Sequence, residues 1–432
     1  MKKYFFLLLL AALFSCAKPN QSPDPVPVDP VPSNVDTPIT FELTAKHPQD
    51  TRVVKSGWEN GDVIFVFFKQ SENNDPGYKE VVSPNHLEMS YSGKGWTTTV
   101  VGTIALENTN EGVMTAVYLP FSNDATVTAD NNGNYVFNNS CVSYYLTAKL
   151  DYKVENNKVS GSFAMKVPDG FVQFYVADDN PQAGSCKLAT DAVFPVKVGS
   201  VSAAGVINEV HGNPGANLNG YVYGKDSVTG YLFSGKLSET YSYTDYYFSK
   251  IQVSGSESSR SDYFVTPKNA LTSLDSINLP ANGDAKWQAV GSDVSVDLGT
   301  VGNVTATSVG KWYTCNLGAT VPESLEPLYS LSEVPSNIKT IPTKNEYLLL
   351  SSLSIKPMSI HGTHGIVVQS KSNKAFIFLP VNGGKEACYW TSEKTGDYAY
   401  HAFVNANDST ITVGDTYYSP QSAQNAVRLM NK

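Results

Sequence analysis

At 432 residues the chain is long enough for two to four domains, and 41% apolar with 16% charged residues fits a globular protein with a lightly charged surface. A net charge of −9 with no basic stripe excludes nucleic acid as a partner, because nothing is present to neutralise phosphates. Twenty-five tyrosines against six methionines, with abundant Val, Thr and Ser, favour strands over helices, so a mainly β fold is expected.

The first element is a leader. Lys2 and Lys3 precede an unbroken apolar run from Tyr4 to Phe14, too short to cross a bilayer as a helix. A charged start, an apolar middle and a small residue before the cut make a secretory signal. Leu13-Phe14-Ser15-Cys16 resembles the lipobox of bacterial lipoproteins, in which the cysteine is acylated and becomes the new N-terminus. The resemblance implies a signal peptide at 1–15, lipid on Cys16 and anchoring at the cell outer membrane. An ordinary signal peptide with an incidental cysteine is the alternative. Residues 16–38 carry seven prolines between Asp, Val, Ser and Asn, a composition that cannot bury a core and reads as an extended tether. No later segment reaches the length of a membrane span.

Residues 39–160 read as a β-sandwich. Ile39, Phe41 and Leu43 alternate with Thr40, Glu42 and Thr44, the pattern of a half-buried strand. Asn60-Gly61 marks a turn, and Val63–Phe68, apolar on both faces, predicts a central covered strand. Further strands are expected at Trp96–Thr103, Val113–Leu119, Tyr135–Phe137 and Val142–Leu146. Thr51-Arg52, then Trp58, then Gly61-Asp62 before an apolar strand resembles the start of bacterial fimbrillin-family proteins, lipoprotein-exported pilus subunits of two β-sandwiches. That resemblance implies proteolytic maturation at Arg52, loss of the first strand, and a groove filled by another pilus subunit's strand, which binds through its main chain. An ordinary exposed arginine is the other reading of Arg52. Trp58 reads as a core anchor beside the turn.

Residues 161–290 read as a second sandwich. Phe171–Val176 is a strand of low polarity, and Pro195 within Ala192–Val198 points to an edge or bulged strand. Strands at Gly220–Tyr223, Gly230–Phe233 and Tyr241–Ile251 follow. Ser162-Phe163-Ala164-Met165 leading into Phe171 resembles the opening of a fimbrillin second domain. Tyr241, Tyr243, Tyr246 and Tyr247 read as packed on one face, with contact to a glycan as the minority alternative.

Residues 291–432 carry Val294–Gly299, Lys311-Trp312-Tyr313-Thr314-Cys315-Asn316-Leu317-Gly318, the capping box Thr343-x-x-Glu346, Ala375–Pro380, Tyr389-Trp390-Thr391-Ser392 and Ala426-Val427-Arg428. In that order these resemble the major paralogous lipoprotein domain (FISUMP), related to C-type-lectin-like folds, which implies an α+β module with Trp312 and Trp390 in its core. Family members often place a cysteine after the terminal Val-Arg; Leu429 and Met430 stand there instead. A Cys315–Cys388 bond and separate buried thiols are both open. His361 and His364 sit among glycines in what reads as a solvated loop, without the further ligands a metal needs. No catalytic elbow, zinc motif or phosphate loop occurs, so no catalytic residue, metal or cofactor is expected. A cysteine-dependent enzyme of the formylglycine-generating type, which shares the lectin-like fold, would require Cys315 to be reactive. The expectation is a non-enzymatic pilus or adhesin component, at a tip, that meets a host or microbial surface ligand such as a glycan. The alternative is a permanently anchored glycan-binding lipoprotein.

Overall fold

Alternation sets the first strand. In β1 (Thr40–Lys46) Leu43 and Ala45 are buried and Phe41 half-buried, while the even positions face out. β2 (Val63–Phe68), apolar on both faces, takes the centre of a sheet, as its composition requires. β3 (His86–Tyr91), β4 (Trp96–Val101) and β5 (Glu111–Tyr118) come next, then the hairpin of β6 (Thr126–Ala129) and β7 (Tyr135–Asn138). β8 (Leu146–Lys153) completes an antiparallel sheet of order β4-β3-β2-β5-β8. The strand expected at 142–146 thus begins only at Leu146 and runs on to Lys153. β9 (Lys158–Ala164) lies parallel to β1. The computed structural model describes residues 39–432 apart from 49–56, 69–84, 103, 105–110, 121, 123, 142–143, 203, 226–227, 268, 273–274, 281–285, 303–304 and 336–340. The segments expected to be leader and tether, with Cys16 and Arg52, therefore lie outside the described residues.

The next strands are β10 (Phe171–Ala177), β11 (Cys186–Ala189), β12 (Val193–Phe194), β13 (Val196–Val201), β14 (Ile207–His211) and β15 (Leu218–Asn219). They are followed by β16 (Tyr221–Lys225), β17 (Val228–Leu237), β18 (Tyr246–Ser254), β19 (Glu257–Val265), β20 (Ser276–Leu279) and β21 (Gln288–Val290). Two sheets, β12-β17-β10-β20 with β16 on β17, and β15-β11-β18-β19-β21, enclose Val172, Phe174, Phe233, Phe248 and Tyr263. Pro195 lies where an edge or bulged strand is expected: β12 before it is the terminal strand of its sheet, and β13 after it carries a bulge between Val198 and Ser200. Pro195 divides β12, paired with β17, from β13, which leaves for another sheet. A proline suits such a corner because it has no amide to place in a ladder. β13 and β14 form a hairpin that joins β7 and β6 as a four-stranded sheet. That sheet closes the first core: Phe65 meets Phe137 at 5.4 Å and Phe67 meets Tyr135 at 4.8 Å between ring centroids. Strands from both sides of residue 160 therefore build the first sandwich.

The last third holds β22 (Ser295–Asp297), β23 (Thr300–Val301), β24 (Thr307–Ser308), β25 (Lys311–Asn316), α1 (Lys344–Leu350) and β26 (Ser354–Ile360). β27 (Thr363–Gln369), β28 (Phe376–Pro380), β29 (Glu386–Thr395), β30 (Tyr398–Asn405), β31 (Thr410–Thr412), β32 (Tyr418–Pro420) and β33 (Arg428–Asn431) follow. The capping box forms as read: Thr343 Oγ1 accepts from the Glu346 amide at 3.2 Å, and Glu346 Oε2 accepts from the Thr343 amide at 2.7 Å. α1 sets Tyr347 against Trp312, ring centroids 5.3 Å apart, and both are fully buried. Trp390 is equally buried and donates to Tyr329 O at 2.7 Å. The described chain is therefore mainly β, with α1 as its one α-helix among the described residues.

The Cys315–Cys388 bond is absent; both thiols are free. The reason is topological. Residues 425–428 run between the two strands, with Ala426 N donating to Cys388 O and Leu317 N donating to Val427 O. Two strand spacings, about 9–10 Å, separate the cysteines, beyond the reach of a disulfide.

Candidate functional site

Among the described strands β1 pairs with β9 only. Its seven residues pair with β9, from Thr40 opposite Lys158 to Lys46 opposite Ala164. The Thr40 amide donates to Asn157 O and Lys46 O accepts from the Met165 amide, so even residues turn their backbone groups toward β9. The odd residues turn theirs to the opposite edge, where no described strand pairs with β1. Parallel strands ordinarily lie inside larger covered sheets, so a two-stranded parallel ribbon at a surface is unusual. What binds β1 beyond its ladder is its inward row. Leu43 and Ala45 enter the first core, and Phe41 lies 6.4 Å from Phe68. Burying one leucine is worth about 1.5–3 kcal/mol. On the outer row Glu42 pairs with Lys158, an exposed contact of small worth.

Among the described residues, Trp58 reaches the edge of β1 opposite β9. Trp58 Nε1 donates to Ala45 O at 2.9 Å. The indole is fixed edge-on by Trp96 at 5.0 Å, Tyr118 at 5.1 Å and His47 at 4.9 Å. The turn expected at Asn60-Gly61 supports it: Asp62 N donates to Glu59 O, Gly61 sits at φ 95°, and Asp62 takes bonds from Glu59 N at 2.7 Å and Tyr118 OH at 2.8 Å. Burial, reinforced by the Asp62 carboxylate, pushes the Tyr118 hydroxyl far above its usual range, so it stays a donor. Trp58 and β1 lie on opposite sides of Arg52. Among the described contacts, a cut there leaves β1 held by its ladder, the Thr40 and Thr44 hydroxyl bonds and the Glu42–Lys158 pair beside it, its inward row and the Trp58 indole.

The edge strand β33 is held differently. It pairs with β25, and its first residue, Arg428, is wholly buried. Arg428 Nη1 donates to Tyr313 O at 3.1 Å and Nη2 to Phe378 O at 2.6 Å, which knits β33, β25 and β28 together. Burial lowers its pKa, yet a guanidinium keeps its charge under such a shift. Lys432 adds a 2.8 Å bridge to Glu346 of α1.

The remaining candidates fall into structural roles. The loop expected around His361 and His364 is a short exposed turn at His361, while His364 lies in β27 and is half-buried. His361 and Gly362, at φ 50° and 78°, form the two-residue turn of the β26–β27 hairpin, packed on the second sandwich. His361 Nδ1 lies 3.0 Å from Gly215 O, and His364 Nδ1 lies 3.2 Å from the Tyr243 hydroxyl. Among the described residues no group of three or more His, Cys, Asp or Glu comes together as metal ligands. Tyr246 and Tyr247 are buried and Tyr241 and Tyr243 half-buried, with Tyr247 against Phe376 and Phe378, so this cluster packs the second core and the seam between β18–β19 and β26–β28. Cys315 is buried, and burial raises its pKa away from the reactive thiolate.

Sequence reading missed the polar lock of that seam. Arg260 clasps Asp262 through two bonds of 2.8 and 3.0 Å and reaches Glu323 at 2.7 Å. Asp191 Oδ2 accepts from Ser359 Oγ and the Gly362 amide. Arg260-x-Asp262 alternating with Tyr263 and Phe264 was the available signal: two charges inside a strand pattern need buried partners.

No protein-family model matches the chain, and no curated protein does. Among solved structures, a candidate cell adhesion protein from Bacteroides ovatus ATCC 8483 is 13% identical with a TM-score of 0.33, over 59% of this chain and 95% of that one. A fimbrial protein from the same strain is 10% identical with a TM-score of 0.27, over 91% of this chain and 99% of that one. The fimbrial anchor protein Mfa2 from Porphyromonas gingivalis is 10% identical with a TM-score of 0.21, over 58% of this chain and 95% of that one. Scores this low do not define a shared fold, so the reading below stands on the chain's own geometry.

Proposed function

We propose that this chain is a non-enzymatic cell-surface pilus or adhesin component that accepts a neighbouring subunit's strand in place of β1. The observation that carries the reading is the mounting of β1: one parallel ladder, an inward row of Phe41, Leu43 and Ala45, and an opposite edge that no described strand pairs and that Trp58 contacts through Ala45 O. A strand so mounted covers a preformed apolar groove and can be replaced by another that offers the same main chain and alternate side chains. Export runs through lipidation at Cys16, which delivers the protein to the outer membrane, and cleavage after Arg52 frees the groove. The contrast with β33 supports a place at a tip. In fimbrillins, as the resemblance implies, shaft subunits donate a C-terminal strand, whereas β33 is pinned inside its module by Arg428.

The test uses the chain lacking residues 1–52, mixed with terminal-strand peptides of co-expressed pilus subunits. The expected result is one stable one-to-one complex by native mass spectrometry. A folded groove that takes up none of them sinks the reading. The N-terminus on cells separates the anchored alternative: a chain starting at Val53 supports maturation, while acylated Cys16 on an uncut chain supports a permanent anchor, which two or more acyl chains hold stably.

A further inference from the structure

β10 runs from Phe171, part of the first core, to Ala177, and beyond Ala177 a cleft of about 440 Å³ opens. One wall is Asp178 with the 180–185 loop; the other is Gln252 on β18 with Glu257 and Ser258 on β19. The walls are tied to each other and to the strands beneath. Asp178 Oδ1 accepts from the Asn180 amide at 2.9 Å, and its Oδ2 accepts from Gln252 Nε2 at 3.3 Å. The buried Tyr231 hydroxyl accepts from the Gln182 amide at 2.9 Å and shares a 2.7 Å bond with Ser185 Oγ. The β18–β19 hairpin turns sharply after Ser254, with Gly255 at φ 63°, and this sets Glu257 at the rim.

The lining decides what fits. Carboxylates, amides and hydroxyls dominate it, so an apolar ligand would gain little and would strand polar groups. The lining holds two carboxylates and no lysine, arginine or histidine, with Lys250 acting on Asp178 from outside it, so phosphates and acidic sugars are disfavoured. No described group of three or more acidic, His or Cys residues gathers for a cation. A neutral polyhydroxyl compound satisfies the whole set, because each hydroxyl both donates to Asp178 or Glu257 and accepts from Gln252 or a serine. The volume lies within the range of small-molecule sites.

We infer that this cleft binds a neutral saccharide, one or two sugar units of a surface glycan. The site is built by the second sandwich, so it stands or falls independently of strand acceptance. The test takes the folded unit Ile39–Lys432 and titrates maltose, cellobiose, lactose and mannobiose, with sialyllactose as acidic comparator, by saturation-transfer NMR and calorimetry. At least one neutral disaccharide binds. Gln252→Ala and the rim variant Glu257→Ala each weaken it about tenfold, the scale of one lost hydrogen bond, with unchanged unfolding midpoints. Sialyllactose binds at least tenfold more weakly. The inference is overturned if no neutral sugar binds, if sialyllactose binds as well, or if both variants bind like the parent. It is equally overturned if binding is lost only in Tyr398→Ala/Tyr418→Ala, which removes the exposed ring pair of the last module.

Discussion

β1 and β33 are both short edge strands, and they are held by opposite means. β1 relies on apolar side chains, a main-chain ladder and one indole bond, interactions that any strand of suitable pattern could reproduce. β33 relies on a guanidinium buried between the carbonyls of two other strands, which only an arginine at that position can satisfy. Generic interactions make an element replaceable, and specific buried polar bonds make it permanent. The same chain thus carries one edge suited to exchange and one that is not.

The largest effect expected from breaking this contrast comes from Arg428→Met. It leaves the carbonyls of Tyr313 and Phe378 buried without donors, a loss of about 3–5 kcal/mol in urea unfolding followed by tryptophan fluorescence. Leu43→Ala opens a cavity under β1 and costs about 2–4 kcal/mol, read mainly as faster release of β1 once the 49–56 segment is cut. The closing hairpin β13–β14 supplies a pH-dependent control. Burial pushes the Glu209 carboxyl up, but bonds from Lys236, His211 and Tyr145 outweigh this and hold it below its usual 4.5. A lowered folded pKa stabilises above the unfolded value, so this contribution is complete above about pH 5.5 and fades as pH falls below 4.5. Glu209→Gln removes about 1.5–3 kcal/mol at neutral pH and flattens that acid limb, without altering β1 release. Trp58→Phe keeps a ring but loses the bond to Ala45 O, and accelerates release by the equivalent of about 0.5–1.5 kcal/mol. Glu42→Gln, at an exposed pair, changes release by less than about 0.5 kcal/mol, and that small effect vanishes at high salt.

Much of the fold was legible where local pattern decides. β1 follows its alternation, β2 its doubly apolar run, and α1 its capping box, because each is set by residues within one turn or one strand. What escaped depends on long-range pairing. Pro195 is legible in the sequence as the sign of an edge or bulged strand, but nothing local says that the chain there changes sheets to complete the core begun by β1 and β2. Nothing local to Cys315 or Cys388 says that residues 425–428 run between them. His361-Gly362 reads as a loop, and its hairpin is a loop; its docking on Gly215 comes from a partner far along the chain. At the candidate groove, Trp58 was legible as an anchor beside a turn. That its indole nitrogen would grip β1 across Arg52 required the folded register.

The most direct test of the exchangeable edge is a strand-replacement assay. The unit Ile39–Lys432 is cut once after Arg52, then mixed with an isotope-labelled peptide of the Ile39–Lys46 sequence, and followed by native mass spectrometry. The labelled strand is expected to replace β1 in the cut protein, faster in Trp58→Phe and Leu43→Ala, and to be excluded from the uncut protein. A cut protein that retains its original β1 and takes up no label, while remaining folded, would contradict the central claim.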